Sequence, residues 1–338
     1  MDSFVLDDDR LREFLSALRD YTLWAPLQKD GLTLFKAISD PADLTLDMKG
    51  QVRVPKTAVF PQTEPLFTFD RKGIKHDAAS EEKKESIIFG LRPCDARSLL
   101  ILEPVFEGTI PDPYYARRRR SSVLIGLACT EPFAHCFCTS VGGNPFGREG
   151  LDLLFVKLNG SFLIEVITEK GRQIIDKTSH LFTSATMEDL KKRENLAQSS
   201  VGKIFRHLDL EGIPEKLSVV FEHSIWKQMA SKCTGCGICT YTCPTCYCFD
   251  MQDESTLKEG RRVRIWDSCM FAEYTLHASG HNPRPTRAER LRNRIYHKFK
   301  FNLDNFGVVG CVGCGRCISL CPSNEDLIEN LSSIKSLA

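Results

Sequence analysis

Two cysteine runs with identical spacing constrain this chain more than any other feature of its sequence. The first occupies Cys233–Pro244 and the second Cys311–Pro322, and both read C-x2-C-x2-C-x3-C-P. Two-residue gaps let three thiolates of one run converge on a single group from one turn of backbone. The glycines after Cys236 and Cys314 allow the backbone to fold closely around that group. The final proline ends the loop because it cannot continue the hydrogen-bonding pattern.

This spacing is the one with which bacterial ferredoxins hold cubane iron–sulfur clusters. In two-cluster ferredoxins the fourth cysteine of each run ligates the cluster of the other run. The sequence therefore predicts two iron-containing [4Fe–4S] sites, one held by Cys233, Cys236, Cys239 and Cys321 and one held by Cys311, Cys314, Cys317 and Cys243. The alternative is two structural zinc sites, because C-x2-C pairs also bind zinc. Zinc needs neither the third cysteine step nor the trailing Cys-Pro.

Length and composition describe a globular protein with room for two or three domains. The chain has 338 residues, of which 42% are hydrophobic and 26% are charged. A formal net charge of +1 gives no overall field that would attract nucleic acid or a membrane surface. No apolar run has the length of a membrane span. The acidic N-terminus lacks the features of a signal peptide, and fifteen cysteines favour metal ligation over disulfides. We therefore predict the cytoplasm of an anaerobic cell.

The order of predicted elements indicates an α+β chain that begins with an α/β-type domain over residues 1–180. Apolar spacing predicts a helix over Asp7–Leu23. Further on, strands at Ser86–Leu91 and Ser122–Leu127 flank a helix at Ala96–Val105. This arrangement is typical of a βαβ unit with a parallel pair of strands.

A charged helical linker is predicted over residues 181–225, and it leads into a bacterial-type dicluster ferredoxin domain over residues 226–338. Cys243 and Cys311 lie 68 positions apart. A minimal two-cluster ferredoxin needs less, so an insertion is predicted over residues 246–305.

A second group of cysteines follows the predicted strands of the N-terminal half. Its members are Cys94, Cys129, Cys136 and Cys138. Ligands bind at the carboxyl ends of strands in open α/β sheets, so four thiols near such positions predict a third [4Fe–4S] cluster. Zinc and unligated core or redox cysteines are the alternatives. Asp95 and His135 are the candidate substitute or neighbouring ligands.

The predicted insertion contains two further features. Three cysteines, Cys246, Cys248 and Cys269, have no assigned cluster, and we expect either small buried residues or a metal site completed by a histidine. The helix predicted over Arg287–Phe299 is basic. It is either a solvated face or a docking surface, in which Arg290 and Arg294 would attract an acidic redox partner.

The chemistry of these sites favours electron transfer over catalysis. Clusters with all-cysteine ligation exchange one electron and leave no coordination position open for substrate. The chain contains no glycine-rich phosphate fingerprint after a strand and no convincing Ser/His/Asp set. We therefore predict a non-catalytic subunit without catalytic residues, whose partner supplies the two-electron group.

Several motifs taken together resemble one family of iron–sulfur subunits. They are FGLRPCD at Phe89–Asp95, DPYY at Asp112–Tyr115, Cys129 with Cys136-Phe-Cys138, WDSC at Trp266–Cys269 and HASGHNPRP at His277–Pro285. The family comprises the iron–sulfur subunit of anaerobic sulfite reductase and the β subunit of cytoplasmic NiFe sulfhydrogenases. Related subunits accompany flavin oxidoreductases that feed heterodisulfide reductases. The resemblance covers about residues 85–322.

The resemblance implies an electron-transfer subunit of a cytoplasmic multisubunit oxidoreductase. Single electrons would pass through its [4Fe–4S] clusters between a subunit that binds flavin and NAD(P)H and a terminal reductase of the siroheme, NiFe or heterodisulfide-reductase type. One alternative is a subunit whose own N-terminal domain binds flavin or substrate and carries the active site. A zinc-binding structural or nucleic-acid-binding protein is a third class, which the near-neutral charge and the two Cys-Pro runs disfavour.

Overall fold

The computed structural model of the chain describes residues 2–48, 54–77 and 84–337. The chain divides into two compact units, each assembled from three segments. The first unit contains the described parts of Met1–Phe60, Ala79–Pro132 and Gly143–Ile204, and the second contains those of Pro61–Ala78, Phe133–Gly142 and Phe205–Ala338. The last change of unit follows Ile204, within the linker predicted over residues 181–225. Sequence reasoning did not anticipate that two earlier segments belong to the second unit.

The described residues form twelve strands and twelve α-helices. The strands are β1 Ser3–Asp7, β2 Thr22–Lys29, β3 Leu32–Ala37, β4 Thr63–Asp70, β5 Gly73–Asp77, β6 Ser86–Leu91, β7 Ser122–Leu127, β8 Leu153–Lys157, β9 Ser161–Val166, β10 Thr183–Ser184, β11 Phe249–Ser255 and β12 Glu259–Trp266. The α-helices are α1 Leu11–Ala17, α2 Pro93–Phe106, α3 Pro113–Arg120, α4 Glu169–Lys177, α5 Met187–Gly202, α6 Ile213–Val219, α7 Ile225–Met229, α8 Ile238–Tyr241, α9 Arg287–Tyr296, α10 Asn302–Phe306, α11 Arg316–Ser319 and α12 Leu327–Lys335.

The first unit contains a mixed sheet of eight strands in the order β10-β1-β9-β8-β7-β6-β2-β3. Its centre is parallel, since β6 pairs with β2 and β7, and β7 also pairs with β8. Strand β6 is almost entirely buried, as expected of an apolar strand with both faces covered. Helix α2, the first of the two helices between β6 and β7, begins at Pro93, and proline suits the first position of a helix. The predicted βαβ unit is therefore confirmed.

The core of the first unit forms around Phe155 on strand β8. Its ring lies 5.6 Å from that of Phe14, 5.5 Å from that of Phe89 and 5.9 Å from that of Phe162. All four side chains are almost completely buried, and burying a side chain of this size stabilises a fold by about 1.5–3 kcal/mol. Because Phe14 belongs to α1, this helix is held against the sheet by its apolar face.

The helix predicted over Asp7–Leu23 is wrong in extent. Its central part is helix α1, and its buried residues Leu11, Phe14 and Leu15 follow the predicted spacing. The segment before it is strand β1, which pairs with β9 through five residues. Only Asp7 of the predicted helix lies in this strand, and Asp8–Arg10 form a 3-10 turn before α1. After Leu18 the backbone leaves helical geometry and enters β2.

The second unit contains an antiparallel sheet of four strands in the order β11-β12-β4-β5. Strand β4 lies nearly 200 positions before its partner β12 in the sequence. Glu64 of β4 stands opposite Arg264 of β12, and the Nη2–Oε2 distance is 2.5 Å. Both side chains are at most 3% exposed. Removing one partner of such a buried pair costs about 3–5 kcal/mol, so this contact fixes β4 in the second unit.

Helices α6, α7, α9 and α12 contribute to the core of the second unit. The rings of Trp226 and Tyr296 lie 5.7 Å apart, and the Trp226 indole donates a hydrogen bond to the carbonyl of Val220. Helix α9 begins after Thr286 with a capping box and continues into a π-helical turn at His297–Phe301. The predicted helix is thus confirmed. No helix among the described residues combines the length and apolarity required to cross a bilayer.

Candidate iron–sulfur centres

The two cysteine runs adopt the same local backbone conformation. In the first run Gly235 and Gly237 have φ of +72° and +77°, and in the second Gly313 and Gly315 have φ of +63° and +71°. These values lie in the left-handed region, which glycine occupies without steric cost. Each second glycine caps a short helix, α8 or α11, that carries the third cysteine of its run. Identical spacing has therefore produced identical loops.

The cysteines predicted for the first cluster line one cavity of the second unit. They are Cys233, Cys236, Cys239 and Cys321, and the lining also includes Cys317, Met270, Leu291 and Arg294. The fold thereby brings the last cysteine of the second run beside three cysteines of the first. Cys236 is exposed, whereas Cys233 is buried and the other two are half-buried. The cavity is thus closest to solvent at Cys236.

The cysteines predicted for the second cluster also lie together. The thiols of Cys243 and Cys317 act electrostatically on those of both Cys311 and Cys314. Cys243 further contacts the Thr245 hydroxyl, with an Sγ–Oγ1 distance of 3.1 Å. That hydroxyl donates to the carbonyl of Gly310, the residue that precedes the second run. The end of the first run is therefore tied to the beginning of the second.

Burial controls the protonation of these thiols. It raises the pKa of Cys239 to about 11 and that of Cys311 to about 11, and it also raises the pKa of Cys314. In the chain without iron these thiols hold their protons at neutral pH. Iron binds thiolates, so iron loading must release these protons.

Two cations from one helical face point towards the sulfur atoms. Arg294 and Lys298 are one turn apart, and only 5% and 4% of their surfaces are exposed. Arg294 lines the first cavity, and its Nε and Nη2 have no hydrogen-bond acceptor among the described residues. Burying such donors without an acceptor is costly. An iron–sulfur cluster with anionic sulfur atoms would supply acceptors, so the donor set fits this group.

The predicted docking role of Arg290 and Arg294 is wrong. Both side chains are buried, so neither presents its charge to a partner. Arg290 donates to the carbonyls of Arg284 and Pro285. The sequence predicts an exposed basic face on α9 because electrostatics steer redox partners. Their spacing with buried Leu291, Ile295 and Phe299 was the signal in the sequence that this face points inward.

Of the three remaining cysteines, Cys246 lies beside the second group. Cys246 is buried and hydrogen-bonded to the thiol of Cys243, and its pKa is raised well above the usual range by that contact and by burial. Cys248 is hydrogen-bonded to Cys269 and Tyr274, and these contacts lower its pKa to about 6. Among the described side chains, no three His, Cys, Asp or Glu residues converge closely enough to form a site for a single metal ion.

The residues predicted for a third cluster are divided between the two units. Cys94 lies at the start of α2 and Cys129 follows β7, both in the first unit. Cys136 and Cys138 belong to the second unit, where the intervening Phe137 donates from its backbone to the carbonyl of Gly313 at 2.8 Å. The third cluster remains a prediction.

The second run requires glycine for a second reason, which the sequence did not reveal. A Cβ on Gly315 would lie 2.3 Å from the carbonyl oxygen of His135, and one on Gly313 would lie 2.6 Å from Cα of Cys138. The segment 135–138 is therefore in direct backbone contact with the second cysteine run. Any side chain at these two positions would force the backbones apart.

Comparisons with known proteins agree with this geometry. Residues 232–325 match the 4Fe-4S dicluster domain family. The chain is 30% identical over 332 residues to sulfhydrogenase 2 subunit beta of Pyrococcus furiosus, which covers 98% of this chain and 97% of that protein. No solved structure matches significantly. The dicluster match supports at least two iron–sulfur clusters in the chain.

We expect Gly315→Ala to lose about four iron atoms, the content of one cubane, because the clash with His135 opens the second run. Gly307→Ala is the matched control, since Gly307 has φ of +72° but nothing within 4 Å of an added Cβ. Both variants incur the strain of a left-handed alanine, and only the first incurs the clash. Iron analysis after anaerobic purification compares them, and equal iron contents would contradict the role assigned to Gly315.

Proposed function

Because the chain belongs to the family of iron–sulfur electron-transfer subunits that includes sulfhydrogenase β subunits, we propose that it relays single electrons through two crosswise-ligated [4Fe–4S] clusters between partner subunits. The observation that carries the proposal is the first cavity. Its lining includes three cysteines of the first run and Cys321 from the end of the second. The proximity of Cys243 to Cys311 and Cys314 supports the reciprocal arrangement.

When bound, the clusters would accept and donate one electron each. The residues of this chain hold them, shield them and connect them to the surface. The second group lies among buried residues, with Cys311 and Cys243 both buried, whereas the first group includes the exposed Cys236. We propose that a partner exchanges electrons with the first cluster at this exposed cysteine.

The surface around Cys236 carries cations at its edge. Arg287 donates to the carbonyl of Cys233 at 2.7 Å, and Lys232 donates to the carbonyl of Asn324 at 3.1 Å. Both side chains border the loop that holds the cluster cysteines.

We propose that one partner is a subunit that binds flavin and NAD(P)H, and that the other is a terminal reductase of the siroheme, NiFe or heterodisulfide-reductase type, in the cytoplasm.

A second candidate function rests on a cleft of about 1050 Å³ in the first unit. Its lining includes Arg119, Arg148 and Arg193, which would suit a flavin or an anionic substrate. Arg148 and Arg193 are both ion-paired with Glu165, and Arg119 is paired with Glu103. A ligand phosphate would have to compete with these carboxylates. Flavin that remains bound to the chain purified alone would favour this alternative.

The crosswise ligation predicts a specific pattern of losses in double variants. Cys236→Ala with Cys321→Ala removes two ligands from one cluster, so about four iron atoms should remain of the eight that two cubanes contain. Cys236→Ala with Cys243→Ala removes one ligand from each cluster, so both should be lost. Iron and sulfide analysis of anaerobically purified protein distinguishes the two variants.

Ligation within each run would give the reverse pattern. Cys236 and Cys243 would then share a cluster, and their double variant would retain the larger iron content. A third cluster adds the same amount of iron to both variants and leaves the comparison unchanged. The reversed order would contradict the proposal.

We also propose a third [4Fe–4S] cluster held by Cys94, Cys129, Cys136 and Cys138. The full chain would then contain about twelve iron atoms, and Cys136→Ser should lose about four of them while the protein stays folded. Cys248→Ser is the control, since Cys248 belongs to none of the three proposed sets. Cys136→Ser with the same iron content as Cys248→Ser would contradict the third cluster.

A further inference from the structure

We infer that the buried cations Arg294 and Lys298 set the reduction potentials of the two clusters, with Arg294 acting on both and Lys298 on the second. The inference rests on the proposed clusters. It assigns an electrostatic role to two residues that are not cluster ligands. These side chains project from α9 and the π-helical turn that follows it. The sequence suggested that the basic residues of this helix attract an external partner. In the inference offered instead, two of them act electrostatically on the clusters inside the protein.

Lys298 directs its ammonium group at the second set of cysteines. Its Nζ lies 3.2 Å from Sγ of Cys243 and 3.0 Å from both Oγ1 of Thr245 and the carbonyl oxygen of Gly310. An ammonium group has three donors, so all of them are used in these contacts. One of the three hydrogen bonds therefore goes directly to a proposed cluster ligand.

Arg294 lies between the two sets of cysteines. It lines the first cavity together with Cys239 and Cys317, and among the thiols the sulfur atoms of these two residues act most strongly on its charge. Cys239 belongs to the first proposed set and Cys317 to the second. The two guanidinium nitrogens without acceptors among the described residues remain free to donate to sulfur.

The effect on potential follows from the sign of the charge. Reduction adds one negative charge to a cluster, and a fixed cation close by stabilises the reduced form. The interaction is strong because water is excluded and the local dielectric constant is low. Hydrogen bonds to cluster sulfur act in the same direction. A cation shared by both sets stabilises the reduced form of each cluster, and this gain offsets part of the repulsion between two electrons that are held at once.

The test is a redox titration of the full chain, purified anaerobically and monitored by EPR spectroscopy. Lys298→Met should lower the potential of one cluster, and Arg294→Met should lower the potentials of both. At a fixed applied potential we expect the reduced-to-oxidised ratio to fall about tenfold, which equals a shift of about 59 mV for a one-electron couple. Arg294→Lys keeps the positive charge and should shift the potentials less than Arg294→Met.

Two matched controls separate this effect from general damage to the helix. Arg290→Met removes a buried arginine of α9 that donates to backbone carbonyls, and Lys300→Met removes a lysine paired with Asp304. Both should leave the potentials unchanged. Full iron content with unchanged potentials in Lys298→Met and Arg294→Met would overturn the inference.

Loss of iron from Lys298→Met, Arg294→Met and Arg294→Lys, with full iron in the controls, would also overturn the inference. The cations would then be needed to assemble the clusters and not to set their reduction potentials. The proposed function fails separately, if the unmodified chain contains no [4Fe–4S] signal. The titration therefore distinguishes failure of the inference from failure of the relay.

Discussion

Buried positive charge facing buried sulfur is the interaction on which the second unit depends. Arg294 and Lys298 are both buried, and removing such charges from water costs several kcal/mol per ion. The surrounding thiols are buried or half-buried, and their withdrawal from water raises the pKa of Cys239 and Cys311 to about 11 in the absence of metal. Anionic clusters would satisfy both groups, because their sulfur atoms accept the orphaned donors and their iron displaces the thiol protons.

This requirement explains why the second unit is assembled from distant parts of the chain. The cysteine runs form two equivalent loops, and the cations come from the segment between them, Arg294 from α9 and Lys298 from the π-helical turn that follows it. Residues 135–138 then contact the glycines of the second run so closely that a Cβ would clash. Strand β4 joins through the buried pair of Glu64 and Arg264. Sequence distance thus has little bearing on which segments surround the cysteines.

Local signals in the sequence predicted the parts of the structure that local chemistry determines. The paired spacing identified the dicluster domain, which the family comparison confirms. Apolar runs at Ser86–Leu91 and Ser122–Leu127 predicted the βαβ unit, because buried parallel strands have this composition. The helix at Arg287 was also predicted, since its periodicity and capping residues are contained within one short segment.

The parts that failed depend on partners far away in the sequence. Strand β1 is absent from the elements that the sequence predicts, because its pairing with β9 joins segments about 160 positions apart. Strand β4 was not assigned to the second unit for the same reason. The sequence predicts exposure for Arg290 and Arg294 because a basic run gives no indication of the carbonyls or thiols that it faces. The spacing of residues in the sequence indicates which side chains share a face of one helix or strand. It does not indicate which other helix or strand packs against that face.

Iron, zinc and acid-labile sulfide analysis of the unmodified chain, purified without oxygen, tests the central claim most directly. The account predicts at least eight iron atoms per chain, matched by an equal number of sulfides, as two cubanes require. Protein that contains zinc in place of iron, with no labile sulfide, would contradict it.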